Sequence, residues 1–224
     1  MSILPGLASS IGFGAAGDPT TRYVGTAVDT VNRTIYTFSD QDIGTAKVNR
    51  MVVVGAFGNR LTGTPSQITS ITVGGNTATN AASRTNDAVI VNLRHVAMDA
   101  NDTADIVVTF GQDQKQCTIV VFAVYGLASH TKESAGFDDA NKPLTGTLTT
   151  TVGATTIALA TCSATSRTWT SSGDGQLAEV FDAAMEAQSG GAFLSLSAED
   201  TSMDINITYS GTNVFEAGVW STWN

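Results

Sequence analysis

The chain has 224 residues, a formal net charge of −9 and charged residues at only 14 % of its length, against about 25 % for an average globular protein. Its four lysines, Lys47, Lys115, Lys132 and Lys142, are scattered. Such a chain cannot build the clustered basic surface that displaces counterions from nucleic acid, and the same deficit disfavours an anionic membrane surface as partner.

Threonine and glycine fill the place that charge leaves, which suits exposed strand faces and tight turns better than surface helices. The first 20 residues, MSILPGLASSIGFGAAGDPT, are rich in Gly, Ala and Ser and carry Asp18 as their single charge. They lack the basic start of a signal peptide, and Pro5 and Gly6 break the apolar stretch early, so the chain is expected to be made and kept without secretion. Residues 1–20 read as an arm that orders against a partner, with Leu4, Leu7, Ile11 and Phe13 as its anchoring side chains.

Strand signals then follow at short intervals. They are RYVGTAV (22–28), RTIYTFS (33–39), NRMVVVGAF (49–57), ITSITVGG (68–75), DAVIVNLRHVAM (87–98), DIVVTF (105–110) and KQCTIVVFAVYGL (115–127). Beyond them come LTGTLTTTV (144–152), TTIALATC (155–162), SRTWTS (166–171), AFLSLSA (192–198), MDINITYS (203–210) and FEAGVWSTW (215–223). Turn chemistry separates them, as at Gly74-Gly75, Gly173-Asp174-Gly175 and Gly190-Gly191. The pattern predicts an all-β fold, an antiparallel β-sandwich or jelly roll, forming a single domain over 21–224 with at most one short helix.

Two strand types are distinguishable. MDINITYS alternates, with Met203, Ile205, Ile207 and Tyr209 on one face, as a half-buried strand does. MVVVGAF and TIVVFAVYGL are apolar throughout, so they are either central strands covered on both faces or lie at a subunit contact. Together with the apolar VWSTW (219–223), they predict a homo-oligomer in which Trp220 and Trp223 join the interface. The core is expected to contain Val52, Val54, Val89, Val91, Val107, Ile119, Val121 and Ala123. The segment QLAEVFDAAMEAQ (176–188) satisfies helical spacing and partial strand alternation equally well. Cys117 and Cys162 lie in apolar runs and read as buried thiols, with a disulfide as the alternative.

Chemistry-bearing residues are sparse. His95 and His130 have no nucleophile-and-orienter pattern around them, and no G-x-S-x-G or H-E-x-x-H motif occurs, so no enzyme activity and no cofactor are expected. Asp99, Asn101, Asp102 and Asp105 offer hard oxygens at turn spacing and form a candidate Ca²⁺ set, against the reading that Asp and Asn are turn formers. Asp40-x-Asp42 and Asp138-Asp139 read in the same way. Trp169, Trp220 and Trp223 are candidate sugar-stacking residues or, more commonly for strand tryptophans, core.

The order of the runs RMVVVGAF (50–57), ITVGGNTAT (71–79), AVIVNL (88–93), ADIVVTF (104–110), CTIVVFAVYGL (117–127) and SRTWTS (166–171) resembles a β-sandwich domain common in structural proteins of tailed bacteriophages and prophages. The resemblance covers roughly residues 46–171. It implies a non-enzymatic virion component, assembled in the host cytoplasm. Such a component would be a capsid-decorating or head-spike protein in contact with other virion subunits, or a tail appendage that meets a host-surface glycan.

Overall fold

A computed structural model describes residues 20–60, 67–86, 89–126, 130–131, 143–150, 153–164, 167–172, 178–184, 189–196, 201–212 and 216–223. The arm residues Leu4, Leu7, Ile11 and Phe13, and Asp138-Asp139, lie outside them. The strands are β1 (Thr20–Asp29), β2 (Arg33–Asp42), β3 (Met51–Asn59), β4 (Ile68–Val73), β5 (Asn76–Thr77), β6 (Thr79–Asn86), β7 (Val89–Ala97), β8 (Thr103–Gln114) and β9 (Gln116–Tyr125). They continue as β10 (His130–Thr131), β11 (Leu144–Thr150), β12 (Thr155–Cys162), β13 (Trp169–Ser172), β14 (Ala178–Ala184), β15 (Ser189–Leu196), β16 (Thr201–Tyr209) and β17 (Glu216–Trp223). Every strand pairing is antiparallel, and no helix occurs among the described residues. The all-β class therefore stands.

Among the described residues the strands form four sheets that pack on one another, in keeping with the expected β-sandwich. The first is β2-β8-β4-β5, the second β1-β9-β3-β7-β6, the third β10-β17-β12-β15-β14 and the fourth β11-β16-β13. Alternation along each strand divides their side chains among three apolar seams. Val52, Val54 and Ala56 of β3 join Ile119 and Val121 of β9 against Tyr36, Ile71 and Val108 of the first sheet. The neighbouring residues Val53, Phe57, Val120, Phe122 and Val124 face the other way, onto Ile157, Leu159 and Val219 of the third sheet. Ala158, Ala160 and Trp220 on the far side of that third sheet meet Leu144, Leu148, Ile205 and Ile207 of the fourth. The layers thus stack in order, as two sandwiches placed face to face.

This stacking explains the uniformly apolar runs. β3 and β9 are covered on both faces by the chain itself, so their composition reports internal layering rather than a subunit contact. Trp220 and Trp223, expected at an interface, are fully buried in different seams. Trp169 is fully buried as well. Seven of the eight named core residues are buried; Val107 is half-buried. The first sheet is an outermost layer, so in β8 Ile106, Val108 and Phe110 turn inward and Val107 turns out.

Close approach between layers depends on glycine. A Cβ on Gly55 of β3 would stand 2.5 Å from Leu159 Cδ1 of β12, so the Leu159 side chain in the seam would have to shift to admit one. The Gly74-Gly75 turn behaves as its sequence promised, with φ of 55° and 80° and Val73 opposite Asn76 in a two-residue hairpin.

The ambiguous segment forms a strand, with β14 spanning Ala178–Ala184. Glu179 pairs with Phe193 and Phe181 with the adjacent Ala192, so Val180 is an extra residue in a bulge. A bulge interrupts strict alternation, and here it imitated helical spacing. The same device hid β6: a register shift between Asn80 and Ala82 leaves consecutive residues Ala81 and Ala82 both buried.

Two outcomes follow. Val121→Asp places a carboxylate in the seam between the first and second sheets, and costs about 4 kcal/mol or more; urea unfolding of the variant measures the loss. Cys117 and Cys162 are free, fully buried and in separate seams, and burial pushes the Cys117 thiol up, away from the reactive thiolate. A thiol reagent should label neither in the native protein and both after denaturation.

Candidate functional site

One end of the N-terminal sandwich is closed by two loops, residues 43–50 before β3 and residues 98–102 after β7. Arg50 joins them. Its side chain is fully buried; Nε donates to Met98 O at 2.8 Å, Nη2 to Ala100 O at 2.9 Å and Asn101 O at 2.7 Å, and Nη1 to Gly44 O. The planar guanidinium spreads five N–H groups in a fixed fork, so one side chain can serve four carbonyls on two loops. The Arg50 carbonyl in turn accepts from Met98 N at 2.9 Å.

The candidate calcium residues belong to the same corner. Asp99 Oδ1 accepts from Asn49 N at 2.9 Å, Asp102 Oδ1 from Ala46 N at 2.6 Å, and Asp105 Oδ1 from Asp40 N at 2.9 Å. Asn101 holds a left-handed φ of 63°, a conformation asparagine tolerates better than most residues. Among the described residues no three His, Cys, Asp or Glu side chains are arranged to hold a metal ion. Asp99, Asp102 and Asp105 act as loop clamps, each carboxylate fixing a backbone N–H of another segment, while Asn101 offers its backbone carbonyl to Arg50. Asp42 does likewise, its Oδ1 accepting from Gly44 N at 2.7 Å, whereas Asp40 Oδ1 accepts from the Thr103 hydroxyl at 2.7 Å.

The other singled-out residues do not converge on this corner. His95 lies half-buried on β7, its ring edge-on to Trp223 at 6.1 Å between centroids. His130 forms the short strand β10 opposite Trp223 of β17. With all three tryptophans buried, no tryptophan platform is open to a sugar. No helix among the described residues is long and apolar enough to cross a membrane.

The clamped corner does frame a cleft of about 440 Å³. It opens between the edge strands β1 and β2, which flank the second and first sheets on the same side. Arg22 and Tyr23 of β1, Tyr125 of β9, Asp40 and Asp42 of β2, and Asp102 line it. A smaller hollow continues past Tyr125 to Lys47, whose Nζ stands 5.7 Å from the Tyr125 ring centre. The Tyr125 hydroxyl donates to Thr45 O at 3.0 Å. Gly44 sits behind the opening at φ 83°, where a Cβ would come within 2.6 Å of the Ala123 Cβ and 2.7 Å of the Tyr125 hydroxyl. A glycine at 44 is therefore what lets this loop lie close against Ala123 and Tyr125. In the sequence, Asp40-x-Asp42 and Asp102 were the traces of the cleft; Arg22 and Tyr125 come together only through pairing across about 100 positions, as in Arg22 opposite Ala123.

Replacing Arg50 by Met should leave four carbonyls without their donor and cost about 3 kcal/mol or more. Arg50→Lys should recover less than half, because an ammonium cannot reach both loops in the same fork. Chemical denaturation measures the loss, and hydrogen exchange should localise it to residues 43–50 and 98–102.

No family model matches the chain, and no curated protein matches it.

Proposed function

We propose that the chain is a non-enzymatic structural protein of a tailed-phage virion, a capsid decoration or head-spike protein that docks through residues 1–20. The observation that carries this reading is where its chemically capable side chains lie. Both cysteines and all three tryptophans are sealed in seams, His95 packs on Trp223, and Asp42, Asp99, Asp102 and Asp105 hold loop backbone through Oδ1. Side chains so committed serve packing and loop rigidity, which suits a protein that works by persisting and adhering.

The anchor reading rests on sequence and on position. Leu4, Leu7, Ile11 and Phe13 punctuate a lead with one charge, and that lead enters the fold at Thr20, the start of edge strand β1. An apolar lead joined to the flank of a rigid body can seat on another subunit without disturbing the body. A homo-oligomer held by the same lead belongs to this proposal, since the apolar faces first ascribed to self-contact are covered within the chain.

Deleting residues 2–18 stops short of β1. The truncated chain should melt within a few degrees of the parent, yet lose attachment to purified particles in a sedimentation assay. Full particle binding by the truncated chain would overturn the docking role, and loss of folding would overturn the separation of lead from body.

A further inference from the structure

We infer that the cleft between β1 and β2 is a binding site for a neutral pyranose saccharide. Its lining carries both signs of charge: Arg22 on one side, and Asp40, Asp42 and Asp102 on the other. The three carboxylates repel a simple anion, and Arg22 offsets part of their pull on a simple cation. A neutral polyol uses both, because each hydroxyl donates to a carboxylate and accepts from a guanidinium. Half-buried Tyr125 adds aromatic surface suited to the apolar face of a sugar ring.

The donors and acceptors are uncommitted where it matters. Among the described residues Arg22 has neither a hydrogen bond nor an ion pair. Asp40, Asp42 and Asp102 accept through Oδ1 alone, and each Oδ2 is left without a protein partner. Those Oδ1 bonds, with the Arg50 fork behind them, fix the carboxylates before any ligand arrives, which lowers the ordering cost of binding. The volume of about 440 Å³ is at the lower end of small-molecule sites and suits one or two sugar rings. This site is independent of the docking role and stands whether or not residues 1–20 bind a particle.

The test is ligand-observed NMR and calorimetry on the full chain with maltose, lactose, cellobiose and chitobiose, with 3′-sialyllactose as the charged comparison. The expected result is saturable binding of a neutral disaccharide with Kd on the order of 1 mM, unchanged by EDTA. Arg22→Ala and Asp102→Asn should each weaken it at least tenfold while leaving the melting temperature in place. No binding of any neutral disaccharide at about 20 mM, twenty times that Kd, would overturn the inference. So would binding that both variants retain, binding abolished by EDTA, or binding of the sialylated sugar alone.

Discussion

Covering both faces of one five-stranded sheet is the constraint on which the rest of the molecule depends. The second sheet has no wet face at its centre: adjacent residues of β3, such as Val52 and Val53, enter different seams. Every other layer follows from that. The first sheet exists on one side to cover the even residues of β3, and the third covers the odd ones. The third sheet, apolar on both sides in turn, requires the fourth. Only the outermost layers alternate in the ordinary way, and there Thr, Ser and Asp take most of the outward positions, beside Ile35 and Val107.

A body with so little charge also handles its few buried cations unusually. Arg50 and Arg94 are held by carbonyl and amide oxygens rather than by carboxylates. Arg94 on β7 reaches Asn92 Oδ1 at 3.0 Å, Ala78 O at 3.3 Å and Ile68 O at 3.0 Å, tying β7 to the start of β4. Burial lowers its pKa. In both places a guanidinium replaces several missing ladder bonds at a loop, where strand pairing has stopped and carbonyls would otherwise lack donors. The acidic residues around the first corner complete the arrangement by taking the N–H groups.

What could be read from the sequence was what depends on neighbours in the chain. The all-β class, the Gly74-Gly75 hairpin, the burial of β3 and β9 and the inward face of β16 rest on periodicity and turn chemistry. What could not be read rests on partners far away. β6 and β14 each carry a bulge, and a single extra residue breaks the period that betrays a strand. The number of layers is set by which sheet meets which, and an apolar strand looks the same against its own chain as against a second copy; Trp220 and Trp223 were misplaced for that reason. The cleft was the least legible feature. Its walls come from β1, β2, β9 and a loop near residue 102, and no local pattern ties Arg22 to Tyr125.

The order of the layers along the chain has a consequence for synthesis. The first and second sheets are complete at Tyr125, yet the outward face of the second sheet, with Val53, Phe57, Phe122 and Val124, is covered by β12 and β17. β17 spans 216–223 and lies beside β12 in the middle of the third sheet. At ribosomal rates of about 5–20 residues per second, that face waits on the order of five to twenty seconds for its cover. During that interval the nascent N-terminal sandwich presents a flat apolar surface to a crowded cell. Chaperone dependence and expression losses should therefore track the speed at which residues 126–223 are translated, and slow codons in that stretch would be more harmful than the same codons earlier.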